Sequence, residues 1–377
     1  MSTKVRVLVV DDSALMRKLI SQVLSRDPSI EVIGTAMDGL IGLRKIEELR
    51  PDVVTLDLDM PRMDGMEMLR HITRKQRLPV IVFSAHTEAG ASVTFKALGL
   101  GAFDFVAKPH EAASGSIEQI ASELALKIKV AAASGAPKLI ISEPAVKRKD
   151  PRTASAPRWP SRIFAIGIST GGPNALEYVF SQLPEDFPGC LLVVQHMPEG
   201  FTGMFARRLN DCSAIEVKEA QSGDLLLAGR ALICPGNRHL KVRRLDHGDI
   251  AILDSQPRIN GHRPSVDVLF ESVAREFAAK ATAILMTGMG DDGAAGMGVV
   301  RAAGGSTIAQ SLDSCVVESM PRAAIERGFA MRVIPLHLIA SALQSICAGG
   351  SWPSNLDMAP VMSGAASVES ALRRRSS

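Results

Sequence analysis

Residues 162–180 read RIFAIGISTGGPNALEYVF, an apolar run that a glycine-rich turn separates from a stretch with helical spacing. Isoleucine and phenylalanine favour strands, whereas the glycines and Pro173 favour a turn that opens a helix. A buried strand followed directly by a helix is the repeating unit of parallel α/β sheets. The stretch therefore predicts an α/β fold, and it places Ser169 at the carboxyl end of a strand.

The same unit recurs on both sides of this stretch. Between residues 5 and 130, five short apolar runs alternate with helical patterns, which predicts a doubly wound, flavodoxin-like parallel sheet. After residue 162, the strand and helix patterns predict a second doubly wound domain, larger and Rossmann-like, with three α/β layers. Short alternating segments with turn signals at residues 215–254 predict an antiparallel hairpin at one edge of it.

The length of 377 residues and the shifts in composition predict two domains with a connector. We expect a first domain over residues 1–127, a flexible basic linker rich in Pro, Ser and Ala over 128–161, a second domain over 162–348 and a disordered tail over 349–377. The basic residues concentrate in the linker, so the folded parts are not basic and we expect no binding to nucleic acid.

The cysteines and the apolar runs bear on the compartment. Five cysteines lie far apart in the chain without metal-binding spacing, so we expect reduced core residues. No run approaches the roughly 18 consecutive apolar residues that a membrane span needs. We therefore expect a cytoplasmic protein that is not inserted in a membrane.

Polar side chains follow several strands of the first predicted sheet, at the edge where open α/β sheets bind ligands. Asp11 and Asp12 follow the first strand, and Asp57 ends the third. Ser84 and Lys108 end the fourth and fifth strands. Clustered carboxylates suit Mg²⁺, and the ion, the lysine and the serine could together hold a phosphoryl group on Asp57. Each residue alone is better explained as a cap, a turn or surface charge, but five on one edge predict a phosphoryl site.

The first domain resembles the receiver domain of two-component response regulators in four stretches: VVDDSALMRKLI (9–20), VVTLDLDMPRMDGMEML (53–69), VFSAH (82–86) and GAFDFVAKP (101–109). The resemblance implies that Asp57 accepts the phosphoryl group and that a histidine kinase supplies it. It also implies that Mg²⁺ is held by Asp12, Asp57 and the backbone of Asp59, with Asp11 close by.

Ser169 lies in GISTG (167–171), which fits the G-x-S-x-G pattern of a turn that exposes a nucleophilic serine. The same turn could instead bind phosphate or cap a helix. Two later strands supply partners, since His196 ends one and the pair Asp291 and Asp292 follows the other. A serine, an imidazole and a carboxylate at one sheet edge predict a hydrolase in which either acid could orient the base.

Two other functions are less consistent with the residues. GMGDDG (288–293) fits the dinucleotide pattern G-x-G-x-x-G, but its two acids would repel pyrophosphate. Gln195 and His196 also stand where a nucleotide-binding fold would carry an acid, which disfavours an NAD-dependent enzyme. A receiver-controlled transcription regulator would need a helix-turn-helix with a basic face, and the second domain shows neither.

The second domain resembles the catalytic domain of chemotaxis protein-glutamate methylesterases, the CheB family, in five stretches: GISTGGPNAL (167–176), VVQHMP (193–198), FARRLN (205–210), GHRPSVDVLFESVA (261–274) and TGMGDDGAAGM (287–297). The resemblance implies that Ser169 is the nucleophile and His196 the general base. It implies Asp292 as the acid, because the family motif G-M-G-A-D-G has its aspartate there. Asp291 stands where the family more usually has alanine.

The resemblance also implies supporting groups and a setting for the reaction. It implies an oxyanion donor in the backbone of Met289, a supporting role for Thr170 and no cofactor for hydrolysis. The implied substrates are glutamyl γ-methyl esters on the cytoplasmic helices of methyl-accepting chemoreceptors, and some members also deamidate glutamine. A receiver domain that inhibits the enzyme until it is phosphorylated is implied as well, and we expect a monomer.

Overall fold

The computed structural model describes residues 4–76, 78–84, 88–108, 114–135 and 158–349. The chain forms two compact units. The first comprises Met1–Ala145, Thr170–Tyr178 and Met197–Asp211, and the second comprises Val146–Ser169, Val179–His196 and Cys212–Ser377. The segments that directly follow Ser169 and His196 thus cluster with the N-terminal part of the chain.

The first unit contains a five-stranded parallel sheet in the order β2-β1-β3-β4-β5. Its strands are β1 (Val5–Val10), β2 (Ile30–Ala36), β3 (Val53–Asp57), β4 (Val80–Ser84) and β5 (Asp104–Ala107). The helices between and after them are α1 (Ala14–Leu24), α2 (Gly39–Leu49), α3 (Gly65–Lys75), α4 (Glu88–Gly99) and α5 (Ser114–Ser134). The predicted doubly wound sheet is confirmed, and its strand order reverses between β1 and β3, where such sheets bind ligands.

Helix α5 differs from the sequence-based boundary. It continues to Ser134, so the first seven residues of the predicted linker at 128–161 are helical. Ile128 and Ala131 are buried, which explains why the helix continues past residue 127. The rest of the linker at 136–157 and the tail from residue 350 onward lie outside the described residues.

The second sheet has seven parallel strands in the order β14-β13-β12-β6-β7-β9-β8. Its strands are β6 (Arg162–Ile168), β7 (Gly189–Gln195), β8 (Glu216–Glu219), β9 (Arg230–Ile233), β12 (Ala281–Leu285), β13 (Ser306–Gln310) and β14 (Arg332–Ile334), and a separate pair is β10 (His239–Arg243) and β11 (Ile250–Asp254). The helices are α6 (Gly172–Phe180), α7 (Thr202–Cys212), α8 (Val266–Phe277), α9 (Ala294–Ala302), α10 (Ser319–Glu326) and α11 (Leu336–Cys347). The order reverses between β6 and β12, which makes that boundary the expected ligand edge.

The predicted antiparallel hairpin is confirmed in β10 and β11, where Leu240 pairs with Leu253. Strands β8 and β9 come from the same predicted stretch, but they pair in parallel with each other and with β7. Residues 220–229 leave the sheet between them, and the N–H of Gly223 donates to the carbonyl of Ala251. Residues 220–229 therefore form the crossover connection that the parallel pairing of β8 and β9 requires.

A close contact between β6 and α8 brings the second unit's loops together. A Cβ at Gly167 would lie 2.2 Å from Cγ1 of Val266, so only glycine allows the first turn of α8 to approach the strand. Leu269, Phe270 and Val273 of α8 are buried in the core, each contributing about 1.5–3 kcal/mol by removal from water. The N-terminus of α8 is thereby fixed near the carboxyl end of β6.

We find no segment suited to crossing a bilayer among the helices of the described residues, because none combines sufficient length with sufficient hydropathy.

Candidate active site and phosphoryl-acceptor pocket

An acidic pocket lies at the strand-order reversal of the first sheet. Ligand atoms of Asp11, Asp12 and Asp57 all lie within 4.8 Å of one another. Lys108, after β5, places its Nζ 2.7 Å from Oδ2 of Asp57 and 3.5 Å from Oδ2 of Asp11. Ser84 is buried at the end of β4, where its Oγ donates to the carbonyl of Gly90. The five residues predicted for this edge therefore occupy strand ends of one sheet.

Burial sets the charge balance of this pocket. It raises the pKa of Asp11 and of Asp57 above the usual range, and the Lys108 ammonium offsets only part of that rise. Burial alone would lower the pKa of Lys108, but the two carboxylates outweigh it and raise that pKa. A further cation beside the acids would relieve the cost of burying them.

The donor set fits a hard divalent cation. Within the described residues, Oδ2 of Asp11 is buried without a hydrogen-bond partner, although it lies near the Lys108 ammonium. The N–H of Asp59 donates to Oδ1 of Asp57 at 3.3 Å, which brings the Asp59 backbone beside the acids. Several carboxylate oxygens with a nearby backbone are the kind of ligand set that Mg²⁺ takes in proteins.

The three residues predicted for hydrolysis follow neighbouring strands at the strand-order reversal of the second sheet. Ser169 follows β6, His196 follows β7, and Asp292 lies in the loop between β12 and α9. The Nε2 atom of His196 is 2.8 Å from Oδ2 of Asp292. The backbone N–H of His196 donates to the carbonyl of Ile168, which places His196 beside the end of β6. Sequence reasoning therefore predicted a group of residues that the fold brings to neighbouring strands.

The Ser169 backbone is held from both neighbouring strands. Its N–H donates to the carbonyl of Thr287 at 3.0 Å, and its carbonyl accepts from Nε2 of Gln195 at 2.9 Å. A Cβ at Gly288 would lie 2.8 Å from Cβ of Ser169, so glycine at that position leaves room for the serine. These contacts use backbone atoms and leave the Ser169 hydroxyl available for chemistry.

Asp292 is a buried carboxylate with four donors. Besides His196, it accepts from Oγ of Ser265 at 2.8 Å and from the N–H groups of Val266 and Asp267 at 2.7 and 3.2 Å. Burial alone would raise the pKa of Asp292, but the bonds from His196 and from the α8 N–H groups lower it below its usual value. Asp292 is therefore ionised at neutral pH and fixes the His196 ring at one edge.

The two adjacent acids, Asp291 and Asp292, differ in their contacts. Asp291 is exposed, and its Oδ2 pairs with Nη2 of Arg327 at 2.5 Å. Of these two acids, Asp292 is the one that hydrogen-bonds to His196, and the family motif implies the same residue. Adjacent acids in one turn thus point to different partners.

The second ring nitrogen of His196 is available to receive a proton. Within the described part of the chain, Nδ1 of His196 is buried and has no hydrogen-bond partner. His196 and Asp292 are hydrogen-bonded to each other. The Ser169 hydroxyl and His196 are not hydrogen-bonded in the described structure. Such catalytic contacts commonly tighten only when substrate binds.

Met289 presents a backbone amide to the same edge. The N–H groups of its neighbours are used, that of Gly288 by the carbonyl of Val317 and that of Gly290 by Oγ of Ser319. Among the described residues, no acceptor contacts the Met289 N–H, which is what an oxyanion donor requires. Thr170 is buried, and inside the first unit its Oγ1 donates to Oδ2 of Asp104 at 2.8 Å.

Sequence reasoning missed two residues of this site. The His262 ring lies flat on the His196 ring, with centroids 4.0 Å apart and planes 5° apart. Asp267 is buried beside Asp292 and accepts from the N–H groups of Gly293 and Gly296. Burial, opposed by those bonds and reinforced by the Asp292 charge, raises the pKa of Asp267 to about 6. Both residues belong to the stretch 261–274, which resembles the CheB family. That resemblance was the signal in the sequence that could have identified them as site residues.

Asp267 and Asp292 form a reciprocal pair of helix caps. Asp292 precedes α9 yet satisfies N–H groups at the start of α8, and Asp267 in α8 satisfies N–H groups at the start of α9. Each carboxylate thus neutralises the positive end of the helix that carries the other. The turn that bears Asp292 is therefore held by α8 as well as by its own helix.

The family model described as CheB methylesterase matches residues 164–343, and the model described as response regulator receiver domain matches residues 7–116. The protein-glutamate methylesterase/protein-glutamine glutaminase 2 of Koribacter versatilis (strain Ellin345) is 62% identical over 348 residues, which cover 91% of this chain and 96% of that relative. The protein-glutamate methylesterase/protein-glutamine glutaminase of Symbiobacterium thermophilum is 46% identical, with coverage of 90% and 96%, and that of Pyrococcus horikoshii is 41% identical, with coverage of 93% and 97%.

Proposed function

The chain belongs to the CheB methylesterase family, and we propose that it hydrolyses the γ-methyl esters of glutamyl residues in proteins and deamidates glutamine side chains. The names of its relatives state both activities. The observation that carries the proposal is the pair of His196 and ionised Asp292 beside Ser169, on neighbouring strands of one sheet. The receiver stretch adds a phosphoryl-accepting input.

The first half of the reaction forms an acyl-enzyme. Nδ1 of His196 takes the proton from Oγ of Ser169 as that oxygen bonds to the ester carbonyl carbon. Asp292 stabilises the imidazolium, and the Met289 N–H donates to the oxyanion of the tetrahedral intermediate. The carbon–methoxy bond then breaks, and His196 returns the proton to the departing oxygen, which releases methanol.

The second half restores the serine. His196 takes a proton from water as the water oxygen bonds to the acyl carbon. The bond to Oγ of Ser169 breaks, the serine regains its proton from His196, and a glutamate side chain is released. A glutamine amide follows the same path with ammonia as the first product, which fits the double name of the relatives.

We propose chemoreceptors as substrates and a histidine kinase as phosphodonor. The family description and the receiver match support this pairing, since a receiver that precedes a methylesterase couples its activity to a kinase. The substrate esters would lie on the cytoplasmic helices of methyl-accepting receptors.

Methanol release tests the activity directly. We expect the purified protein to release methanol from receptor membranes that carry methyl-labelled glutamyl esters, as measured by transfer of volatile label. Receptors whose esters have been removed by alkali are the matched control and should give no volatile label. Glutamine-bearing receptors should release ammonia. A wild-type protein that releases neither product faster than buffer would contradict the proposed function.

Regulation by Asp57 has support inside the first unit. Lys108, directly after β5, contacts Asp57, and Asp104 at the start of β5 accepts from Thr170, the residue after the proposed nucleophile. Nδ2 of Asn174 also donates to the carbonyl of Leu98 in α4. We propose that these contacts restrain the Ser169 turn until phosphorylation of Asp57 redirects Lys108 and shifts the equilibrium between two arrangements.

Mg²⁺ would be held by Asp12, Asp57 and the Asp59 backbone, with Asp11 close by. The ion supplies positive charge that offsets a phosphoryl group on Asp57. Lys108 would pair with that group, and the Ser84 hydroxyl would donate to it.

The effect of Asp57→Asn tests the regulatory part. Acetyl phosphate with Mg²⁺ should raise the wild-type rate of methanol release by roughly 10-fold, within the usual range of coupling between sites. Asparagine cannot form the acyl phosphate, so the variant should show no rise while its basal rate stays within about 3-fold of wild type. Asp59→Asn is the matched control and should keep the rise, because the exposed side chain is not the group proposed to hold the ion. An equal rise in Asp57→Asn would refute the regulatory proposal.

A further inference from the structure

We propose that His262 is a positioning residue for the general base, which holds the plane of the His196 ring and supports the imidazolium formed in each half-reaction. This inference rests on the proposed hydrolytic function and extends the set of residues that serve it. Neither the family motifs nor the names of the relatives assign a role to His262.

The two rings make a nearly parallel contact. Their centroids are 4.0 Å apart and their planes differ by 5°. The bond to Asp292 fixes the direction of Nε2 of His196, but a single hydrogen bond leaves the ring free to rotate about that direction. The flat contact with His262 removes that rotation. The two contacts together determine where Nδ1 of His196 points.

A tight turn presents the His262 ring. The N–H of Ile259 donates to the carbonyl of His262 at 3.0 Å, and the N–H of His262 returns a bond of 2.9 Å to the carbonyl of Ile259. Asn260 and Gly261 between them have φ of +50° and +82°, which is the geometry of a two-residue hairpin turn. Arg263 then anchors the far side of the turn to Oδ1 of Asn237.

His262 is uncharged at the pH where the enzyme would work. Burial, reinforced by the neighbouring His196, lowers the pKa of the His262 imidazole to about 4. The charged groups that act on it are Arg258 in its own loop and Asp291 and Asp292 before α9. A neutral ring does not oppose protonation of His196, and its π-face attracts the imidazolium that catalysis creates. A permanently charged cation at position 262 would repel the His196 imidazolium and oppose its formation.

Two substitutions separate positioning from mere packing. His262→Ala should lower kcat by about 10-fold with KM within about 3-fold, because the base loses orientation while substrate contacts remain. His262→Phe keeps a flat ring without a titrating group and should recover kcat to within about 3-fold of wild type. His247→Ala, an exposed histidine in the loop between β10 and β11, is the control and should leave both constants unchanged.

Ring-proton resonances of His196 supply a readout that is independent of activity. Stacking should shift these protons upfield in the wild type and in His262→Phe, and the shift should disappear in His262→Ala. A kcat for His262→Ala within about 2-fold of wild type would overturn the proposal. Phenylalanine as damaging as alanine would also overturn it, as would an unshifted resonance in the wild type. Failure of the wild type to release methanol would contradict the proposed function instead, and the resonance would still report the stacking.

Discussion

Ser169→Ala is expected to reduce methanol release by on the order of 10⁴-fold or more, because it removes the atom proposed to form the acyl-enzyme. The folded state should be nearly unchanged. Within the part of the chain that the structure describes, the hydrogen bonds of Ser169 use its backbone N–H and carbonyl, which alanine keeps. Its thermal midpoint should therefore match the wild type within about 2 °C, because the substitution at this half-buried position removes no hydrogen bond.

The measurement is methanol release at saturating receptor, paired with covalent labelling. A sulfonyl fluoride should add one adduct to the wild type, which peptide mass spectrometry should place on Ser169, and the variant should remain unlabelled there. Ser345→Ala in α11 is the matched control, since the Ser345 hydroxyl donates to the carbonyl of Ser341 in its own helix. Release above about a tenth of the wild-type rate would exclude Ser169 as the nucleophile.

The strand-end rule explains why much of this site could be predicted from sequence. Ser169, His196 and Asp292 each follow an apolar run, and parallel strands bring such positions to one edge regardless of their distance along the chain. The same rule grouped Asp57 and Lys108 in the first sheet. Grouping these residues at two sheet edges needed only local hydrophobic patterns, because the strands of a parallel sheet all run in the same direction.

Other features depend on contacts that no local pattern contains. Asp291 and Asp292 look alike in the sequence, and they are distinguished by Arg327 on one side and by the start of α8 on the other. The stacking of His262 on His196 depends on where the fold places the turn at 259–262, which lies between β11 and α8. The antiparallel prediction for residues 215–254 was wrong for β8 and β9, because alternating residues look the same in parallel and antiparallel pairs.

Asp292→Asn is expected to lower methanol release by about 10³- to 10⁴-fold, whereas Asp291→Asn should stay within about 3-fold of wild type. The amide cannot stabilise the imidazolium of His196. One of its two polar atoms would also become a donor facing groups that already donate to Asp292, namely Ser265, Val266 and Asp267. Asp291→Asn removes only an exposed ion pair with Arg327, which is worth at most about 1 kcal/mol.

Stability should fall together with activity in Asp292→Asn. A buried donor left without an acceptor costs about 1–3 kcal/mol in the free energy of unfolding. The pH dependence has a definite sign. Because the folded state lowers the pKa of Asp292 below 3.8, the stabilisation by its carboxylate is complete above that pH and disappears as pH falls through the lowered value. The difference between wild type and variant should therefore be largest near neutral pH and shrink below about pH 4.

Urea unfolding at pH 7 and at pH 3, with methanol release at pH 7, checks the prediction on both variants. Equal activity losses in Asp291→Asn and Asp292→Asn would mean that both acids support His196. That result would contradict the structure, in which Asp292 and not Asp291 hydrogen-bonds to His196. A stability gap that widened toward pH 3 would mean that the carboxylate of Asp292 is strained in its site. The four donors around it argue for the opposite, because each donor favours the ionised form over the protonated one.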